Sequence, residues 1–184
     1  MSDDITALVG RAKSGELAAA SELLTQSYER IFAYFRRLCG SDEDAADMTQ
    51  KTFCKVWNSL ANYNGRASFN TWLHAIAHHV YVDWRRRSTP AELASDEWWL
   101  HCVDHAPSPS ETAANREQAQ QVYSLVEQRD HDTRQTVHLH YYQGLSLAET
   151  AEVLGIATST VKYRLREAVE FLKTKMAEPR IEVR

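Results

Sequence analysis

The sequence predicts an all-α protein: two small helical domains joined by an acidic flexible linker, the second built around a helix-turn-helix. Three observations predict it. Gly and Pro are scarce, 6 and 4 of 184 residues, while Ala, Leu, Glu, Gln and Arg are common, a composition that favours helix. Apolar residues recur at steps of three and four along most of the chain, which marks one buried face per segment. Residues 88 to 118 break that pattern with Pro90, Pro107, Pro109 and six acidic residues against one basic, Arg116. With 43% apolar residues and five Trp the chain can bury a core, but each half is small.

The elements follow in order. Residues 15 to 39 carry Leu17, Ala20, Leu23, Leu24, Tyr28, Ile31, Tyr34, Phe35 and Leu38 on one face, with Ser14 as a candidate cap and Gly40 as the stop. Ser41 opens a second helix with Asp42, Glu43 and Asp44 in its first turn, where negative charge suits the helix dipole. Its apolar face reads Ala45, Met48, Phe53, Val56, Trp57, Leu60. The stretch ANYNGRAS, 61 to 68, is a loop by its Asn-Gly pair. Ser68 caps a third helix with core positions Phe69, Trp72, Leu73, Ile76, Ala77, Val80 and Trp84, ending in Arg85, Arg86 and Arg87. An arginine run there complements the dipole. The first domain spans 1–87, the linker 88–112 and the second domain 113–184. Trp98, Trp99 and Leu100 are unusual in a free linker and are expected to dock on a domain of this chain or on a partner.

Helices resume from Ser110, one to about Gln128 and one from about Asp132 to Gln143, stopped by Gly144. Ser146 and Glu149 form a capping box, and Gly155 ends that short helix. The last helix starts at Thr158 or Ser159 and runs to about Met176. Leu154, Ile156, Val161 and Leu165 are spaced to share one core, with the small Ala151 where two helices cross. This is helix-turn-helix spacing, whose second helix enters the major groove. Residues 158 to 175 hold five basic residues against two acidic, in a chain whose net charge is −4. Positive charge is therefore concentrated on the segment that offers Ser159, Thr160, Lys162, Tyr163, Arg164 and Arg166 to DNA.

Several classes are excluded by the same residues. The acidic N-terminus MSDDITALVG does not read as a signal peptide, and no stretch reaches the roughly 20 apolar residues of a membrane span, so no membrane insertion is expected. Cys39, Cys54 and Cys102 are an odd count without paired spacing, which suits reduced thiols in a cytoplasmic protein. His74 and His78 are four apart but lack accompanying zinc-site residues, and His101, Cys102 and His105 form an isolated group; no metal or cofactor is assigned. No nucleophile–base pair, glycine loop or paired carboxylates point to catalysis.

DAADMTQKTFCKVW, 44 to 57, and NGRASFNTWLHAIAHHVYVDWRRR, 64 to 87, closely resemble the second conserved region of bacterial sigma factors. GLSLAETAEVLGIATSTVKYRLREA, 144 to 168, resembles the fourth. Two blocks in that order, an acidic linker and this length resemble the extracytoplasmic-function type of the sigma-70 family. The resemblance implies binding to core RNA polymerase, through its clamp coiled coil and flap, and recognition of the −10 and −35 promoter DNA elements. It carries Asp44, Asp47, Met48 and Gln50 over as polymerase contacts. Asn62, Asn64 and Arg66 fall in the loop that receives an unstacked −10 base, and His79, Asp83, Arg86 and Arg87 on the helix that lies along it. The last helix becomes the −35 reader. The linker is expected to thread through the polymerase near the RNA path, and family members are commonly held by an anti-sigma factor.

The chain departs from the family pattern at three places. His79 stands where Asn is usual, Ser159 and Tyr163 sit in a helix that often reads Gly-Thr-Val-Lys-Ser-Arg, and EQRDHD replaces a Leu-Pro pair. These changes bear on promoter preference rather than on fold. Two other classes fit parts of the chain: a dimeric helix-turn-helix repressor or activator, and a helical adaptor that binds only protein.

Overall fold

The computed structural model describes residues 2–87 and 113–177, and every regular element among them is helical. Trp98, Trp99, Leu100, His101, Cys102 and His105 lie outside the described residues. The N-terminal half is α1 (Ser2–Lys13), α2 (Leu17–Cys39), α3 (Asp42–Ser59), a single 3-10 turn (Leu60–Asn62) and α4 (Phe69–Arg87). The C-terminal half is α5 (Ala113–Glu127), α6 (His131–Val137) with a π-helical continuation over His138–Tyr142, α7 (Leu147–Leu154) and α8 (Thr158–Ala177).

The helix ends follow the local chemistry with one exception. Gly40 takes φ +72° and closes α2, Ser41 Oγ accepts from the Asp44 amide to open α3, and Ser68 Oγ accepts from the Thr71 amide to open α4. Ser14 does not cap α2. An unexpected helix, α1, precedes it, and the Ser14 hydroxyl donates to the Arg11 carbonyl at the end of α1; Glu16 occupies the cap position without a side-chain bond. Asp130 caps α6 by accepting from the Thr133 amide, so that helix starts one residue earlier than its pattern indicates. The capping box of α7 forms in both directions: Ser146 Oγ accepts from the Glu149 amide at 3.2 Å, and the Ser146 amide donates to Glu149 Oε2 at 2.9 Å.

Burial corrects the face assigned to α3. Ala45, Met48, Val56 and Leu60 are buried as expected, joined by Thr49 and Thr52, whose hydroxyls turn back to the carbonyls four residues earlier. Trp57 stays 49% exposed, because it lies one helical step past the stripe that meets α2 and α4. On α4, Tyr81 and His74 are buried although neither was among the core positions of the apolar pattern; Trp72 and Trp84 are half-buried against the core.

Two apolar clusters result, and their division does not follow the chain. The larger contains Leu23, Ile31, Tyr34, Phe35, Met48 and Leu73 of the N-terminal half together with Leu139, Leu145 and Val153 of the C-terminal half. The smaller is the helix-turn-helix core proper, Val126, Val137, Ala151, Val161, Leu165 and Ala168, with Ile156 packed on it. Leu154, expected in that second core, packs on the first. The two halves therefore share a core.

Candidate protein- and DNA-binding surfaces

Three stripes run along α4, each set by the helical repeat. Val80, Trp84 and Arg87 face the groove beside α3, while Trp72 on the same side packs on Tyr63 and Phe69. Thr71, His74, His78 and Tyr81 face the C-terminal half. The third stripe is open, and it carries His79 and Arg86, seven residues apart and both exposed. Of the residues assigned to −10 DNA, these two share a solvent face. Asp83 and Arg87 turn instead to the groove between α3 and α4, where Asp83 pairs with Arg86 at 2.5 Å and stands 3.8 Å from Lys55. In the preceding loop Asn62, Asn64 and Arg66 are exposed. Gly65 takes φ +73°, and Asn64 Oδ1 accepts from the Arg66 amide, so Asn64 is spent on holding the turn while Asn62 and the Arg66 guanidinium extend from it.

The α3 residues assigned to the polymerase divide similarly. Asp47 and Gln50 are exposed on one edge of a groove of about 470 Å³ lined also by Lys51, Cys54 and Lys55. Asp47 pairs with Lys51 one turn on. Asp44 is half-buried and accepts from the Trp84 indole at 3.2 Å, which fastens α3 to α4. Met48 is a correction: with no exposed surface it packs in the core and presents nothing to a partner. A partly exposed aromatic strip, most of which the apolar pattern placed in the core, adjoins this surface. Tyr28 stacks on Phe32 at 6.0 Å and lies 6.1 Å from Phe53, with Trp57 one turn further along α3.

On α8, Ser159, Lys162, Tyr163 and Arg166 are exposed and Thr160 is half-buried. Arg166 lies over the Tyr163 ring at 5.6 Å, so the two form one cationic-aromatic patch. Arg164 is the exception. Its guanidinium donates to Asp132 at 2.6 Å and is mostly buried, tying α8 to the start of α6 rather than reaching outward. Where the C-terminal half meets α2 and α4, Glu127 takes a hydrogen bond from Arg134 at 2.8 Å and lies 3.2 Å from His138 Nε2. Burial pushes the Glu127 carboxyl up, but His138 and Arg134 outweigh it and hold the group below its ordinary range.

The seam between the halves is polar at its rim. Glu149 Oε1 accepts from Thr71 Oγ1 at 2.7 Å and Ser68 Oγ at 3.2 Å, while its other oxygen completes the capping box. Those donors hold the carboxyl far down, to about 2. His74 Nε2 stands 3.3 Å from the Gln143 side chain, the Gln135 amide donates to His78 Nδ1 at 3.2 Å, and His131 stacks on Tyr81 at 5.3 Å. Burial lowers the basicity of His74, and that of His78 and His131 to about 4 each, with the neighbouring His79 and Arg85 adding to the effect on the last two. No group of three or more His, Cys, Asp or Glu among the described residues has metal-site geometry. No helix among them is long and apolar enough to cross a membrane.

An all-helical chain with a basic helix-turn-helix in one half and an acidic, amide-bearing helix face in the other defines a transcription protein that touches both DNA and a protein partner. Residues 23–90 match the family model for sigma-70 region 2, and residues 120–172 match that for sigma-70 region 4. The chain is 33% identical over 168 residues to the RNA polymerase sigma factor YlaC of Bacillus subtilis, covering 89% of this chain and 95% of the relative. It is 29% identical over 160 residues to the ECF RNA polymerase sigma factor SigX of the same organism, covering 84% and 82%. In fold it is similar to CnrH in complex with the cytosolic domain of CnrY, at TM-score 0.69 and 22% identity over 94% of this chain and 97% of that one. A second similar structure is the sigma factor RpoE with the anti-sigma factor NepR from Bartonella quintana, at TM-score 0.65 and 19% identity over 87% and 98%. The chain belongs to the sigma-70 family of RNA polymerase sigma factors, in its extracytoplasmic-function branch. It acts in promoter recognition and transcription initiation by RNA polymerase.

Proposed function

We propose that residues 1–87 form a unit that binds core polymerase and the −10 element, that 113–184 form the −35 reader, and that 88–112 connect them. The observation that carries this assignment is the pairing of two exposed surfaces of opposite character: Asp47 and Gln50 on α3, and Ser159, Lys162, Tyr163 and Arg166 on α8. Asp47 and Gln50 meet the polymerase clamp directly; Asp44 and Met48 hold the helix that presents them, one through Trp84 and one through packing. His79 and Arg86 run along the −10 strand, with Asn62 and Arg66 at the base-receiving loop. Asp83 and Arg87 shape the groove beside them. On α8, Ser159 and Thr160 sit in the first turn, where hydroxyls and amides hold phosphate, and Lys162, Tyr163 and Arg166 reach the major groove. Arg164 orients the helix through Asp132.

The protein works in the cytoplasm as a dissociable subunit and performs no bond chemistry of its own. Run-off transcription with core polymerase on a promoter library tests the assignment. Promoter-specific transcripts that require this chain are expected, and Asp47→Ala with Gln50→Ala abolishes them by loss of core binding. A protein that binds DNA but yields no transcript with core is a separate repressor or activator.

A further inference from the structure

A small cavity of about 100 Å³ lies where α2, α4, α5 and α6 meet, and arginines from three helices converge on it. Arg37 comes from the last turn of α2, Arg85 from the last turn of α4 and Arg134 from α6. Among the described residues Glu127 is the one carboxylate on the wall, and it is already engaged by Arg134 and His138. The α3 carboxylates whose charge reaches Cys39 on this wall are also engaged, Asp42 by Arg36 at 2.6 Å and Asp44 by the Trp84 indole. Among the described residues neither Arg37 nor Arg85 is in an ion pair. Arg37 lies over the Tyr142 ring at 4.6 Å, which occupies the face of the guanidinium and leaves its in-plane N–H groups for another partner. Arg85 is exposed and marks the side open to solvent. The Arg134 Nε–H is buried and finds no acceptor among the described residues. A buried donor left unsatisfied is costly, so this one favours an acceptor from outside the chain.

Arginines near a helix C-terminus ordinarily serve the dipole, and that accounts for part of the cluster. Each carbonyl end carries about half a negative charge. The ends of α2 and α4 together with Glu127 therefore balance about two of the three positive charges, and about one remains. The excess acts on the neighbours. After burial itself, Arg85 and then Arg134 keep a proton off His131, and Arg37 and Arg134 act against Glu127 at His138. Burial pushes the Cys39 thiol up to about 12, so no thiolate supplies the missing negative charge. A water takes about 30 Å³ of liquid volume, so the cavity holds about three water-sized groups. That is room for one tetrahedral oxyanion and too little to bury a base or sugar ring with it. Guanidinium groups match such oxygens with paired N–H donors.

We infer that this cavity is an oxyanion site: Arg37, Arg85 and Arg134 bind a phosphate group, taken as the free ion or as the terminal group of a small phosphomonoester. The buried Arg134 Nε–H gains its acceptor, and Arg37 and Arg85 supply further donors. The bound group joins α2 and α4 to α6 through charge-assisted hydrogen bonds. The site is separate from the surfaces assigned to promoter DNA and polymerase, and the inference does not depend on that assignment.

Isothermal titration calorimetry of the full chain tests the site at pH 8, where phosphate is a dianion. Inorganic phosphate is titrated at an ionic strength held constant with potassium chloride, and a second titration uses glycerol 3-phosphate. One-to-one saturable binding is expected, with a rise in Tm of about 3–6 °C at ten times Kd. Arg85→Gln and Arg37→Gln are each expected to weaken binding about tenfold, the loss of one charge-assisted contact. Lys173→Gln, which removes a cation from α8 away from the cavity, leaves Kd unchanged. Tighter binding of glycerol 3-phosphate identifies a phosphomonoester as the source of the group, and tighter or equal binding of inorganic phosphate identifies the free ion. Binding of neither beyond the chloride control, or a wild-type Kd in Arg85→Gln, overturns the site. Arg85 is exposed, so its replacement keeps the helix content measured by circular dichroism. If Arg37→Gln, which also gives up the Tyr142 stack, loses helix, Arg85→Gln decides alone.

Discussion

Lowering the pH from 7 to 5 destabilises the folded protein through histidines that the seam keeps neutral. His78 illustrates the size. The Gln135 amide donates to its Nδ1, so that nitrogen carries no proton in the folded structure. Burial and the adjacent His79 hold the ring at a pKa of about 4, against an ordinary 6.5 once it is exposed. The unfolded chain therefore takes up a proton between these values and the folded chain does not. Stability is fully present above pH 6.5 and is lost progressively as pH falls toward 4. Between pH 7 and 5 the loss from His78 alone is about 2 kcal/mol, at about 1.4 kcal/mol per pH unit over the part of the interval below pH 6.5. For a chain of this length that lowers Tm by about 4–8 °C. His74, His131 and the fully buried His138 shift in the same direction and add to it. Glu127 and Glu149, held below their ordinary range, stay ionised throughout this interval and begin to contribute only in more acid solution. Urea unfolding at pH 7, 6 and 5 measures the drop, and His78→Gln, which cannot titrate but can keep a hydrogen bond to Gln135, flattens part of it. Equal stability at pH 7 and 5, or an undiminished slope in His78→Gln, refutes the reasoning.

Four other outcomes are expected. Leu139→Ala opens a void in the shared core and costs about 2–5 kcal/mol in chemical unfolding, showing that a C-terminal residue supports N-terminal stability. Ser146→Ala removes one arm of the capping box and costs about 1 kcal/mol, read in the same assay. At Gly155, φ is +64° with open space around the missing Cβ, so Gly155→Ala costs about 1 kcal/mol of backbone strain without a clash, and thermal melting shows a small fall. Tyr163→Ser leaves core binding unchanged but shifts the selected −35 sequences in a promoter library; unchanged selection removes Tyr163 from the specificity set.

Much of the fold was legible because helix starts and stops are local. Gly40, Ser41, Ser68, Ser146 and Gly155 each act on backbone groups within four residues, and all behave as their chemistry requires. The exposure of Asp47, Gln50, Lys162, Tyr163 and Arg166 was legible for a related reason: they lie off the apolar stripes, and the helical period alone turns them outward. Met48 and Arg164 were misassigned where that logic ends. A motif position does not report whether its side chain is buried, and an arginine on a basic helix does not report an aspartate waiting on another helix.

The sequence by itself determined the caps and faces of seven helical segments with few errors, though not α1, and it determined the helix-turn-helix and the family, because these depend on neighbours a few residues apart. Only the tertiary structure decided that Thr71, His74, His78 and Tyr81 on α4 belong to a seam, and that Glu149 completes a cap within its own helix while accepting hydrogen bonds from Ser68 and Thr71, some 80 residues earlier. Those residues carry no local signal. A hydroxyl or imidazole on a helix reads as solvent-facing until another element arrives to cover it, and which element arrives is set by how two incomplete apolar faces bury each other.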